Sequence, residues 1–169
     1  MMNITTIALL VLAPLLVWRV YLRVKGMMIS QRSILSRHYT GLIVFGGMVL
    51  IAASEVMRRP QLLGWLALGA AAGIAYAIWG LRLTRFDNTT VFYTPNARLG
   101  MVIAMLFMAR VMYIGVEIYA NQGNGVPTPG FTESPLTLLS IGLTGGFFGT
   151  YSAGLIRWRR SLDKAIRKA

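Results

Sequence analysis

Five long apolar runs, separated by short connections that carry most of the basic residues, dominate the sequence. A helix that crosses the hydrocarbon core of a bilayer needs about 20 mostly apolar residues. The runs span residues 4–21, 39–57, 62–81, 99–119 and 135–156. We therefore expect an all-α membrane protein, in which a bundle of five transmembrane helices forms a single domain over residues 1–169.

The overall composition excludes several function classes. Apolar residues make up 56% and charged residues 13% of the chain, whereas soluble domains average about 45–50% and about 25%. The 17 Lys and Arg fall in clusters between apolar runs and do not coat one face, so nucleic acid is not an expected partner. With no cysteine and one histidine, His38, the chain lacks thiolate and multi-histidine metal sites. We expect no catalytic activity and no cofactor.

The basic residues also predict an orientation, because short loops rich in Lys and Arg stay in the cytoplasm. Of the 17 Lys and Arg, 14 lie at the end of the first run or in the connection after it, between the third and fourth runs, and in the tail. Arg58 and Arg59 are the two on the opposite side. The first run has no basic residue before Ile4 and no small-residue cleavage site after it, so we expect it to remain a spanning helix. The N-terminus is predicted outside and the C-terminus inside.

The connection between the third and fourth runs has the pattern of a β-hairpin. In residues 83–96, β-branched and aromatic residues flank the pair Asp87-Asn88. An isolated two-stranded ribbon is marginally stable in water. We therefore expect a small cytosolic hairpin that packs against the bundle or against the connection at residues 19–37.

Arg110 is the most informative polar residue, because a charge near the middle of a span costs about 2.5 kcal/mol or more. Glu117 lies seven positions further on, so the two charges share one helix face. Glu55 and Tyr113 complete a predicted intramembrane cluster. This cluster has two interpretations. It is a site for an anion, a lipid headgroup or a transported ion, or it is a structural lock that fixes the register of the helices. Further candidate partners for the guanidinium are Thr144, Tyr151 and Ser152.

Two basic clusters are predicted to meet lipid headgroups, since a basic residue near an anionic membrane surface gains about 1 kcal/mol. The alternative is that these charges only set the topology. The candidate headgroup contacts are Arg19, Arg23, Lys25, Arg157, Arg159 and Arg160.

The methionines and glycines can be interpreted as packing residues or as parts of a functional site or interface. Met101, Met105, Met108 and Met112 form a stripe roughly opposite Arg110, which favours adaptable packing or lipid contact over a copper path. Small residues four apart mark close helix contacts, either within the chain or in a homodimer. These pairs are Gly69 with Gly73, Gly142 with Gly146, and Gly145 with Gly149.

The order of several short motifs resembles the CcdC-like family of bacterial inner-membrane proteins. The motifs are the basic loop with Arg19, Arg23, Gly26 and Gln31; the ribbon segments Leu81-Arg-Leu-Thr-Arg-Phe-Asp and Phe92-Tyr-Thr-Pro-Asn; Leu106-Phe107 with Arg110 and Tyr113; and the tail Gly154-Leu-Ile-Arg-Trp-Arg. The resemblance covers nearly the full length and implies a five-helix, multi-pass inner-membrane protein. The family name reflects an association with cytochrome c maturation. Because this chain has no cysteine, we expect no thiol or haem-attachment role.

These observations favour two function hypotheses over an enzymatic function. The first is a non-enzymatic accessory or interaction component of the cell envelope, with lipids and a membrane-protein partner or second copy as contacts. The second is a small transporter or lipid-headgroup binder built around Arg110, Glu117 and Glu55. A membrane enzyme ranks last, because the runs offer no cysteine, histidine pair or paired aspartates for catalysis.

Overall fold

The computed structural model describes residues 31–87, 91–121 and 132–167. The first predicted span, 4–21, and the predicted headgroup contacts Arg19, Arg23 and Lys25 lie outside the described residues. Helices α1 to α4 contain the second to fifth apolar runs. Their bounds are Leu35–Val56, Pro60–Leu83, Ala97–Asn121 and Pro135–Ile166.

Three segments of the described chain are long and apolar enough to cross a membrane. They are Leu35–Val56, Pro60–Leu83 and Arg98–Glu117, in α1, α2 and α3. α4 does not meet the same measure of length and hydropathy. Glycine and hydroxyl residues lower its hydropathy, and these residue types are typical of a helix that contacts other helices instead of lipid.

α4 is the central helix of the described bundle. It packs most extensively on α2, then on α1, and least on α3. One core cluster joins Val56 of α1, Leu66 of α2 and Leu138 of α4. A second cluster joins α2, α3 and α4 through Ala77, Ile103 and Phe147.

Glycines allow the close approach of α2 and α4. A Cβ added at Gly69, Gly73, Gly142 or Gly146 would lie closer than 3.0 Å to backbone atoms of the other helix. A Cβ at Gly145 would collide with the side chain of Val49 on α1, whereas one at Gly149 would meet nothing within 4 Å. Packing within the chain therefore accounts for the predicted pairs of small residues, apart from Gly149.

α3 turns one narrow face toward the other helices. Along its axis, Ile103, Phe107, Arg110, Ile114 and Glu117 are buried or half-buried, while most neighbouring side chains are exposed. Met105, Met108 and Met112 are exposed on the other side. The predicted shared face of Arg110 and Glu117 is therefore the face that points into the bundle.

The predicted hairpin is present and gains a third strand. β2 (Arg85–Phe86) and β3 (Phe92–Thr94) pair antiparallel, and β1 (Gln31–Arg32) adds to the other edge of β3. β1 lies in the connection at residues 19–37, one of the two expected supports. The sheet also contacts α4, because Trp158 packs beside Phe86, with the ring centroids 4.9 Å apart.

α4 continues ten residues beyond the predicted span, to Ile166, so its basic residues are helical. Leu162 is buried in this extension. The Arg159 Nη2 to Asp163 Oδ1 ion pair of 3.3 Å, one helical turn apart, supports the extension further. A helix of 32 residues is about 48 Å long, which exceeds a hydrocarbon core of about 30 Å.

Candidate functional site

Arg110 joins α3 to the first turn of α4. Its Nε donates a hydrogen bond of 3.0 Å to Thr137 Oγ1, and its Nη2 donates one of 2.7 Å to Ser134 Oγ. The guanidinium carbon lies 5.2 Å from the centroid of the Tyr113 ring, a cation–π distance. The structure therefore brings together Arg110 and Tyr113 of the predicted cluster.

The acceptors of Arg110 follow from the way α4 begins. Ser134 is the N-cap residue and Pro135 occupies the first turn. A serine at this position commonly accepts a hydrogen bond from a backbone N–H of its own helix. Here the Ser134 side chain makes no such bond and accepts from Arg110 instead. Thr137 is 0% exposed, so its hydroxyl lies inside the bundle.

The predicted carboxylate partners are not bonded to Arg110. Among the described residues, neither Glu55 nor Glu117 forms an ion pair with it. Glu55 is exposed near the end of α1, and Glu117 is half-buried on the inward face of α3. Glu133 lies just before α4, and its Oε1 is 3.6 Å from Nη1 of Arg59 in the turn between α1 and α2.

The other proposed hydrogen-bond partners of Arg110 also lie elsewhere. The Tyr151 hydroxyl is 2.8 Å from Thr84 Oγ1. Thr144 Oγ1 is buried and has no hydrogen-bond partner in the described part of the chain. Sequence reasoning missed Ser134 and Thr137, because neither the rotation of α4 nor its starting point relative to α3 could be derived from the helix pattern.

The electrostatics of this cluster favour an anion. The guanidinium lies beside the N-terminus of α4, which carries a partial positive charge. Hydroxyl oxygens accept hydrogen bonds from two of the five N–H groups of the Arg110 guanidinium. The hydroxyls hold the guanidinium in place but do not neutralise its charge.

The predicted headgroup residues of the tail divide into two groups. Arg159 pairs with Asp163. Arg160 donates to the Tyr39 hydroxyl of α1, and its guanidinium carbon lies 5.8 Å from that ring centroid. Arg157 and Arg160 line one groove together with Lys164, a residue that was not among the predicted contacts. The 3.6-residue period of a helix longer than predicted is the signal that relates Lys164 to Arg160.

His38 belongs to a small cluster that connects α1 with the sheet. Its Nε2 lies 3.0 Å from the Ser33 hydroxyl, and its ring packs edge-on to Tyr93 at 5.9 Å between centroids. Burial raises the pKa of the Tyr93 phenol, while the nearby Arg37 acts in the opposite direction. The phenol is therefore neutral at physiological pH and packs as an aromatic residue.

No group of three or more metal-ligating His, Cys, Asp or Glu side chains occurs in residues 31–87, 91–121 and 132–167. The exposed positions of Met105, Met108 and Met112 fit contact with lipid or with a neighbouring protein.

The model of the family described as CcdC protein matches residues 3–165, nearly the whole chain. No curated protein and no solved structure is similar enough to count as a match.

Proposed function

Because the chain belongs to the CcdC protein family, we propose that it is a non-enzymatic accessory or interaction component of the bacterial inner membrane. It crosses the membrane five times, with its N-terminus outside and its C-terminus inside. The apolar helices α1, α2 and α3 support the membrane location.

The placement of the sheet supports the orientation. β1 precedes α1, β2 follows α2, and β3 precedes α3, so these helix ends meet at one end of the bundle. Trp158 brings the C-terminal part of α4 to the same end. Most basic residues of the described chain belong to this end, and the positive-inside rule assigns such an end to the cytoplasm.

The observation that carries the interaction role is the outward face of α3. Its exposed side chains form an apolar surface that runs the length of the helix, and α3 has the least contact with the central helix. Within a membrane, such a face meets either lipid or another helix. The exposed residues include Val102, Met105, Met108, Met112, Val116 and Tyr119.

Site-specific photocrosslinking tests this role. A photoreactive amino acid replaces Met108 on α3 or, as a control, Ile43 on α1, which are 58% and 70% exposed. We expect one protein adduct of reproducible mass from position 108 in intact membranes and none from position 43. Lipid adducts alone at position 108, as at position 43, would contradict an interaction surface on α3.

A second candidate function is a small transporter or headgroup binder that uses Arg110 with Glu117 and Glu55. The observation in its favour is that hydroxyls, and no carboxylate of the described chain, hold the guanidinium. This function requires water to reach the inward face of α3.

Thiol labelling distinguishes this candidate from a sealed lock. The chain has no cysteine of its own, and a thiol reacts with water-soluble reagents as the thiolate, which needs water. A transport or binding path predicts that Ile114→Cys, beside Arg110 on the inward face, is labelled while the lipid-facing control Met108→Cys is not. A lack of labelling at both positions contradicts the candidate.

A further inference from the structure

A groove runs between α1 and the C-terminal part of α4. Its volume is about 500 Å³, and Tyr39 and Leu42 of α1 form one wall. Ala153 and Ile156 of α4 contribute apolar surface to the opposite wall. A groove of this volume is in the range of small-molecule sites, which is about 300–1,000 Å³.

The polar end of the groove is strongly cationic. Arg157, Arg160 and Lys164 line it, at spacings of three and four residues that place them on one face of α4. In the described part of the chain, no carboxylate forms an ion pair with these residues. The nearby acid, Asp163, instead lies 3.3 Å from Arg159.

One contact fixes the position of a cation at the groove. Arg160 donates to the Tyr39 hydroxyl and lies over the Tyr39 ring, so its side chain reaches from α4 to α1. The remaining guanidinium donors are available for a ligand. Arg157 and Lys164 are exposed on either side of it along the helix.

We propose that this groove binds one anionic phospholipid, whose phosphate contacts Arg157, Arg160 and Lys164 and whose acyl chain lies along Leu42, Ala153 and Ile156. Two features select this occupant. The three cations on one face attract an anion. The apolar walls continue into helix faces that we assign to the lipid phase. A soluble anion would satisfy the cations but leave the apolar walls exposed to water.

The position along the helix fits a headgroup. Residues 157–164 follow directly after the apolar run that ends at residue 156. This places the cations at the depth of the membrane–water interface. The site is separate from the Arg110 cluster, which lies near the first turn of α4, so the assignment goes beyond the proposed function and does not depend on a partner of α3.

Native mass spectrometry of the full chain in a neutral detergent tests the proposal. The probes are phosphatidylglycerol, zwitterionic phosphatidylcholine and soluble glycerol 3-phosphate. We expect phosphatidylglycerol to bind most tightly and glycerol 3-phosphate not to bind. Binding of glycerol 3-phosphate as tight as that of phosphatidylglycerol would overturn the lipid assignment in favour of a free-phosphate site.

Matched charge variants locate the site. The groove variant combines Arg157→Gln, Arg160→Gln and Lys164→Gln. The control variant combines Arg82→Gln, Arg85→Gln and Arg98→Gln. The control residues are also exposed, and their replacement removes the same amount of charge at the same end of the bundle. Each basic residue near a membrane surface strengthens binding roughly fivefold. The groove variant should therefore bind phosphatidylglycerol about 100-fold more weakly, with little change in the control. An equal loss in both variants would show diffuse attraction and overturn the groove.

A further variant keeps every charge. Ala153→Trp fills the apolar part of the groove from an exposed position, so the bundle core is not disturbed. We expect it to weaken phosphatidylglycerol binding roughly fourfold or more, because the indole displaces acyl CH₂ groups that each strengthen binding by about that factor. Unchanged binding in Ala153→Trp would overturn the proposal, and this holds even if the triple charge variant fails to fold.

Discussion

The Arg110 guanidinium links α3, the helix with least contact to the centre, to Ser134 and Thr137 at the start of α4. Thr137 is fully buried and Arg110 is half-buried, so the hydrogen bond from the Arg110 Nε–H to the Thr137 hydroxyl is partly shielded from solvent. A buried donor left without its acceptor costs more than an average hydrogen bond gains. If Arg110 acts as a structural lock, these hydroxyl groups are therefore its partners.

Thr137→Val tests that lock, because valine has nearly the shape of threonine but offers no acceptor. We expect it to lower the free energy of unfolding by about 1–3 kcal/mol, the range for a buried polar group that loses its hydrogen-bond partner. In an Arg110→Met background the same change should have little effect. A double-mutant cycle in detergent measures the coupling, and additive effects of the two changes would contradict the lock.

For Glu117, we expect little energetic coupling to Arg110. It lies on the inward face of α3 but forms no ion pair with Arg110 among the described residues. The coupling between Arg110→Met and Glu117→Gln should therefore stay below about 0.5 kcal/mol, the level of independent sites. A coupling as large as the one expected between Arg110 and Thr137 would instead indicate a carboxylate partner.

At the scale of helices and strands, close contact between α2 and α4 determines the packing. Gly142 and Gly146 face backbone atoms of Leu66 and Ala70, so side chains are excluded from this contact. Larger residues at such positions force the helices apart.

Gly146→Ala and Gly149→Ala form a matched pair one turn apart on α4. The added methyl at position 146 would lie 2.5 Å from Ala70 O, whereas at position 149 it would meet nothing within 4 Å. We expect a loss of stability of about 1–3 kcal/mol for Gly146→Ala, from overpacking. Gly149→Ala should be neutral or slightly stabilising, because alanine favours a helix. Thermal unfolding in detergent compares them, and equal stabilities would contradict the α2–α4 contact.

The described helices and the hairpin could be predicted because they depend on local patterns. These patterns are runs of about 20 apolar residues and β-branched and aromatic residues on both sides of a turn pair. β1 could not, because a strand of two residues carries almost no pattern and exists through its pairing with Phe92 and Tyr93, about sixty positions away. The extension of α4 was missed for a related reason. Its charged residues end the apolar run, while Leu162 and Trp158 continue the packing.

The polar contacts were the least predictable part of the site. That Arg110 needed a partner followed from its charge alone. Its partners are Ser134 and Thr137, not Glu117 or Glu55. This choice depends on where along the axis of α3 the helix α4 begins. Sequence periodicity gives the face of each helix but not the relative shift of two helices.

At the scale of the whole molecule, the proposed function requires that lipid surrounds the helices and that the end with the sheet lies in the cytoplasm. The α1–α2 turn, with Met57, and the sheet, with Phe92, are at opposite ends of the bundle. Met57, Phe92 and Ile166 are 75%, 40% and 56% exposed, so cysteines at these positions are accessible without a change in charge.

Labelling of these single cysteines in intact cells with a membrane-impermeant maleimide is the most direct test, since the chain has no cysteine of its own. We expect Met57→Cys to be labelled from outside, and Phe92→Cys and Ile166→Cys to be labelled only after the membrane is permeabilised. Labelling of Phe92→Cys in intact cells, or equal labelling of all three positions, would contradict this orientation.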